Sequence, residues 1–97
     1  MLTMNRKPTS PGEILREEFL KELGISQKKL AFHIGCDIKV INRIVNNRTS
    51  VSAETAVKLA SALNTSAQFW LNAQQAVDIY NAMKKIKSLP QPIAKAG

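Results

Sequence analysis

The stretch SQKKLAFHIGCDIKVINRIVNNRTS, Ser26–Ser50, sets short apolar beats between caps and turns, and its spacing decides the fold. Ser26 is placed to cap a short helix with Leu30, Ala31 and Ile34 on the inward side and Gly35 at its end. Asp37 caps the next helix, in which Val40 or Ile41, and then Ile44, point inward before the polar run Asn46–Ser50.

Two helices joined this tightly cross so closely that the inner position holds only a very small side chain, and Ala31 stands there. Four residues on, the chain must reverse through a residue that accepts positive φ, which Gly35 supplies without strain. Ile41 and Ile44, six and nine positions past that glycine, turn the second helix back to the core. Leu30, Ile34 and Cys36 fill the remaining inward places. The start and outer face of the second helix are left free for the major groove of DNA, which is the arrangement of a helix-turn-helix.

The residues left over on that outer side are Ile38, Lys39, Asn42 and Arg43, with Val40 on the border. Arg and Lys donate to guanine edges, Asn pairs bidentately with adenine, and Ile or Val meets a thymine methyl. These five are the expected base-reading set. Gln27 and Lys28 open the first helix of the motif, where backbone N–H groups and the helix dipole favour phosphate. Asn46, Asn47, Arg48 and Thr49 form the loop expected to hold the DNA backbone on the other side. A solvated polar face would account for Lys39 and Asn42 equally well, and for an exposed Ile38 less well.

Charge agrees with an anionic partner. The 97 residues carry 14 Lys and Arg against 7 Asp and Glu, a formal charge of +7. Lys28, Lys29, Lys39, Arg43 and Arg48 lie within residues 25–50, opposed only by Asp37. A second basic group, Lys84, Lys85, Lys87 and Lys95, lies near the end.

Outside the motif the pattern is helical throughout. Ser10, Pro11 and Glu13 form a capping-box start, and Leu15, Phe19 and Leu23, at spacing four, are expected to bury one face of a helix that stops at Gly24. Ser52 caps a fourth helix with Ala56, Leu59, Ala60 and Leu63 inward, closed by Asn64 in the left-handed conformation. Ser66 caps the last and longest, expected to run to about Lys87 before Pro90 and Pro92. The expected architecture is all-α with five helices: a flexible basic arm over residues 1–9, a DNA-binding and dimerisation domain over 10–87, and a flexible tail over 88–97.

The last helix carries two apolar stripes. One is Trp70, Ala73, Val77 and Tyr80, and the other is Phe69, Ala76, Ile79, Met83 and Ile86. Ala76, Ile79, Met83 and Ile86 step by three, four and three, the narrow seam of paired helices. A domain this small cannot cover both stripes. One stripe is expected to close the core and the other to meet a second copy of the chain, because paired recognition helices about 34 Å apart read two half-sites. Ala76, Ile79, Tyr80, Met83 and Ile86 are the expected interface. Which stripe does which stays open, as do a thicker monomeric core and a face for an unlike partner.

Other chemistries lack their residues. His33 is the only histidine and stands on the outer side of its helix, so neither a metal nor a cofactor site is expected. Cys36 is a lone cysteine at a small apolar turn position, which fits a reducing compartment. Glu13, Glu17, Glu18 and Glu22 spread over the first helix as a solvated face, and catalysis has no candidate residues. Neither a signal peptide nor an apolar run of about 18 residues is apparent, so a cytoplasmic protein without membrane contact is expected.

The segments PGEILREEFL, Pro11–Leu20, and SAQFWLNAQQAVDIY, Ser66–Tyr80, flank the motif, and with it residues 6–82 closely resemble the HigA family of antitoxins. That family lies within the phage-repressor-like, or lambda-repressor-like, helix-turn-helix group. The matching positions beyond the motif are the Pro-Gly-Glu start and Phe69, Trp70, Leu71, Gln74 and Asp78. The resemblance implies a type II toxin-antitoxin system: a dimer that represses its own operon by binding double-stranded operator DNA and neutralises a small basic RelE-like toxin that cleaves mRNA. Asn47 replaces a usual Gly and Ala73 a usual Leu. A solitary phage-like repressor without a toxin, and an adaptor that binds protein only, are the competing readings.

Overall fold

A computed structural model describes residues 6–94, which form five helices and, among the described residues, no strand. The first, α1, consists of Pro11–Ile14, a π-helical stretch Leu15–Leu20 and a last turn Lys21–Leu23. Then come α2 (Gln27–Ile34), α3 (Ile38–Val45), α4 (Ala53–Leu63) and α5 (Ala67–Lys85). Of the expected arm, residues 1–5 lie outside the described residues and residues 6–9 are not helical. Residues 95–97 of the expected tail also lie outside them.

Every helix starts on a polar cap. Ser10, Ser26, Asp37, Ser52 and Ser66 are extended, and each side chain accepts a first-turn backbone N–H. At Ser10 only that half of the capping box forms, and the Glu13 side chain stays exposed. The ends are as local chemistry dictates, with Gly24, Gly35 and Asn64 in the left-handed region at φ 66°, 70° and 56°. Asn47 also takes positive φ, 58°, after α3. Asn, unlike β-branched residues, accepts that region readily, so it serves at this turn without strain.

The inward face of α1 differs from the expected one. Leu15 and Leu20 are buried, Phe19 is half-buried, and Leu23 is 57% exposed. The π-helical stretch is the cause. Its i→i+5 bonds, such as Lys21 N–H to the Arg16 carbonyl, put an extra residue in the turn, so the residue stacked with Leu15 is five along rather than four.

The core is aliphatic around one tryptophan. Leu15, Leu30, Ile41, Ile44, Leu59 and Trp70 are fully enclosed, and Leu20, Ala31, Val45, Val51 and Ala56 complete the cluster. Eight-residue helices such as α2 and α3 are unstable alone. Burying Ile41 and Ile44 contributes about 1.5–3 kcal/mol each and is what holds α3 in place. Trp70 anchors α5: its Nε1–H donates to Thr65 Oγ1 at 2.7 Å, and its ring lies 5.5 Å from Phe19 and 5.1 Å from Phe69.

The last helix stops earlier than expected. Its final residue is Lys85, and Ile86 is already extended at φ −80° and ψ 117°. Lys84, Lys85 and Lys87 would crowd one turn with like charge, and α5 has no packing partner there to offset that repulsion. The far half of α5 and the segment after it stand out from the body. The molecule measures 54 × 23 × 21 Å with a radius of gyration of 16.4 Å, against about 12.5 Å for a compact chain of this length.

Candidate nucleic-acid interface

Helices α2 and α3 form the crossing that the spacing predicts. Ala31 is buried at the contact, and the turn is closed by Gly35 N–H to the Phe32 carbonyl at 3.3 Å and Cys36 N–H to the Ala31 carbonyl at 2.9 Å. Lys58 from α4 reaches the Gly35 carbonyl at 3.4 Å. Cys36 is half-buried, with Sγ 3.6 Å from the Asp37 carbonyl, and burial pushes its thiol pKa up.

Four of the five expected base-reading residues come together. Ile38, Lys39, Asn42 and Arg43 line one shallow depression on the outer side of α3, all of them exposed, Ile38 by 44%. Val40 is not among them. It is half-buried and packs against the core, a quarter turn away from the exposed side.

Of the expected backbone set, Gln27 is tied directly to α3. Asn42 Nδ2 donates to Gln27 Oε1 at 3.1 Å, bridging α2 and α3 across fifteen residues of sequence. Lys28 is exposed beside it at the first turn of α2. The loop residues Asn46, Asn47, Arg48 and Thr49 are likewise exposed. They are held by Asn46 Nδ2 to the Asn42 carbonyl (2.9 Å), Asn47 N–H to the Ile44 carbonyl (3.0 Å) and Arg48 N–H to the Arg43 carbonyl (2.8 Å).

Two residues outside the motif hold this loop from behind, and neither was singled out for it. Gly12 presses on the end of α3: a Cβ there would sit inside the van der Waals shell of the Ile44 carbonyl oxygen and 2.8 Å from Asn47 Oδ1. Gln74 on α5 accepts the Val51 N–H at 3.0 Å and donates to Asp78 Oδ1 at 3.0 Å, fixing the far end of the loop. The Pro-Gly-Glu start and the Gln74 and Asp78 positions were visible as resemblance. The packing they serve is long-range and leaves no local spacing signal. A cleft of about 530 Å³ lies between residues 7–13, Asn47–Ser50 and the Gln74–Asn81 side of α5.

A helix-turn-helix family model matches residues 16–70, from α1 through Trp70. The chain is 38% identical over 85 residues to antitoxin HigA-1 of Vibrio cholerae, covering 88% of this chain and 80% of that protein. It is also 44% identical over 78 residues to an uncharacterised helix-turn-helix regulator of Haemophilus influenzae, covering 80% and 73%. Among solved structures, Pseudomonas aeruginosa antitoxin HigA with the higBA promoter superposes with a TM-score of 0.82 at 38% identity, covering 89% of this chain and 98% of that one.

The chain belongs to the HigA family of helix-turn-helix proteins.

The exposed depression on α3 lies within the residues that the helix-turn-helix family model matches. The other faces offer less. His33 is exposed, and among the described residues no group of three or more His, Cys, Asp or Glu is placed to hold a metal ion. Glu17 on α1 is held below the usual carboxylate range, first by its hydrogen bond from Arg16 and then by that from Lys21. No described helix is long and apolar enough to cross a membrane.

Proposed function

We propose that this chain is the antitoxin of a type II toxin-antitoxin pair, which represses its own operon as a dimer on double-stranded DNA and neutralises a small basic RelE-like toxin that cleaves mRNA. The observation that carries the DNA half of this reading is the depression of Ile38, Lys39, Asn42 and Arg43, with Asn42 tied to Gln27. One Asn42 N–H is taken by Gln27, which leaves its other N–H and its Oδ1 for adenine N7 and N6. Arg43 and Lys39 suit guanine O6 and N7, and Ile38 a thymine methyl.

Gln27, Lys28, Asn46, Asn47, Arg48 and Thr49 hold phosphates and set the register without reading sequence. Residues 10–87 act as the DNA-binding and dimerisation unit. The stripe of Ala76, Ile79, Tyr80, Met83 and Ile86 pairs two protomers, which the exposure of Ile79 (49%) and Ile86 (47%) supports. The toxin half rests on the HigA relatives alone.

The test is a pair of substitutions. Arg43→Ala should weaken binding to the true operator by about 1–3 kcal/mol and relax specificity, whereas Arg48→Ala should weaken all DNA alike and reduce the salt slope by about 1.8, or about 0.9 for each protomer. Equal losses on operator and random DNA for Arg43→Ala contradict the assignment. Co-expression with a neighbouring reading frame for a small basic protein tests the other half: mRNA cleavage that this chain fails to suppress leaves a solitary repressor.

A further inference from the structure

The apolar stripe of α5 does not end with the helix. Leu89 and Ile93 continue it at 43% and 83% exposure, and Phe69 near the start of α5 is 41% exposed. We propose that the segment after α5 crosses to the second protomer, where Leu89 covers the partner's Phe69. This inference rests on the dimer reading given above.

Reach excludes the same contact within one chain. Along α5, Phe69 lies seventeen residues before Ile86, roughly 26 Å at 1.5 Å per residue. Leu89 is three residues past Ile86, no more than about 10 Å of extended chain, and even Ile93 commands only about 24 Å. Neither folds back to Phe69 of its own chain.

Across a two-fold axis the lengths agree. A seam running from Ala76 to Ile86 has its centre at residue 81, so Ile86 lies opposite the partner's Ala76. From there the partner's Phe69 is seven helical residues further on, about 10.5 Å. Three extended residues carry Leu89 about 10 Å in the same direction. The two side chains meet.

Phe69 packs against Trp70, and Trp70 against Phe19 of α1, so a leucine seated on the partner's Phe69 extends the apolar cluster at the start of α5.

Sedimentation equilibrium on the full chain, a chain ended after Lys87, and full-length Leu89→Asp provides the test. Both altered chains should show a dimer Kd raised tenfold or more. Their melting temperatures at concentrations where the protein is monomeric should match the full chain. A full chain that is monomeric throughout overturns the dimer reading and this inference with it. A dimeric full chain whose Kd survives both changes overturns this inference alone. A lower monomer melting temperature on truncation shows the segment packing on its own chain and also overturns it, as does a loss seen on truncation but not with Leu89→Asp.

Discussion

Gly12→Ala is the substitution whose outcome depends most directly on how α1 meets α3. Gly12 lies in the first turn of α1 and is buried, and its backbone rests on the last turn of α3. By helix propensity alone, alanine there would gain about 1 kcal/mol. The added Cβ, however, falls within the shell of the Ile44 carbonyl oxygen, 2.9 Å from the Ile44 carbonyl carbon and 2.8 Å from Asn47 Oδ1. The Asn47 side chain can swing away, but the Ile44 carbonyl is backbone and already accepts the Asn47 N–H at 3.0 Å. Relief therefore requires α1 and α3 to separate. Overpacking of this kind costs about 1–3 kcal/mol. With the propensity gain deducted, the net loss is up to about 2 kcal/mol, a fall in melting temperature of up to about 16 °C for a domain of this size. Operator affinity should fall as well, because the displaced backbone carries Asn46–Thr49. Calorimetry and DNA titration on the same preparation check both. An unchanged or raised melting temperature with full operator affinity would refute the packing argument.

Three further outcomes follow from contacts on the page. In a double-mutant cycle on operator DNA, Gln27→Ala and Asn42→Ala should be non-additive by about 0.5–3 kcal/mol, since one hydrogen bond joins them, and strict additivity would disconnect them. Gln74→Ala strips the Val51 N–H of its partner at a buried residue and should cost about 1–3 kcal/mol in chemical denaturation; a loss within error would mean that water replaces the amide. Cys36, with its thiol pKa raised by burial, should react with a disulfide reagent near neutral pH more slowly than a free thiol does, and faster once the chain is unfolded in urea. Reaction at the free-thiol rate in the native state would contradict that burial.

The central crossing was legible because it is written in adjacent residues. Ala31, Gly35, Ile41 and Ile44 constrain one another at fixed short spacings, and the caps at Ser26 and Asp37 mark where each helix starts. Four exposed residues of α3 could be named for the same reason, since a helix with Ile41 and Ile44 inward has only one outer side. Val40 lies at the edge of that side, where a single turn of helix does not decide between groove and core. In α1 the error came from assuming 3.6 residues per turn. The sequence Leu15–Phe19–Leu23 fits an ordinary helix, and nothing local announces the π-helical turn that brings Leu20 inward instead. The end of α5 depends on the absence of a neighbour, and the role of Gly12 on the backbone of a helix thirty residues away. Both are tertiary facts, and periodicity carries neither.

The most direct test of the central claim is an anisotropy titration of the purified chain on labelled DNA from upstream of its own gene, with random DNA alongside, at about 50 and 200 mM salt. If each of two protomers sets Lys28 and Arg48 on phosphates, four contacts give a slope of about −3.6 and an affinity roughly 150-fold weaker at the higher salt. The account predicts that loss together with selective binding of two protomers to the upstream fragment. Equal affinity for both fragments, or binding insensitive to salt, would contradict it.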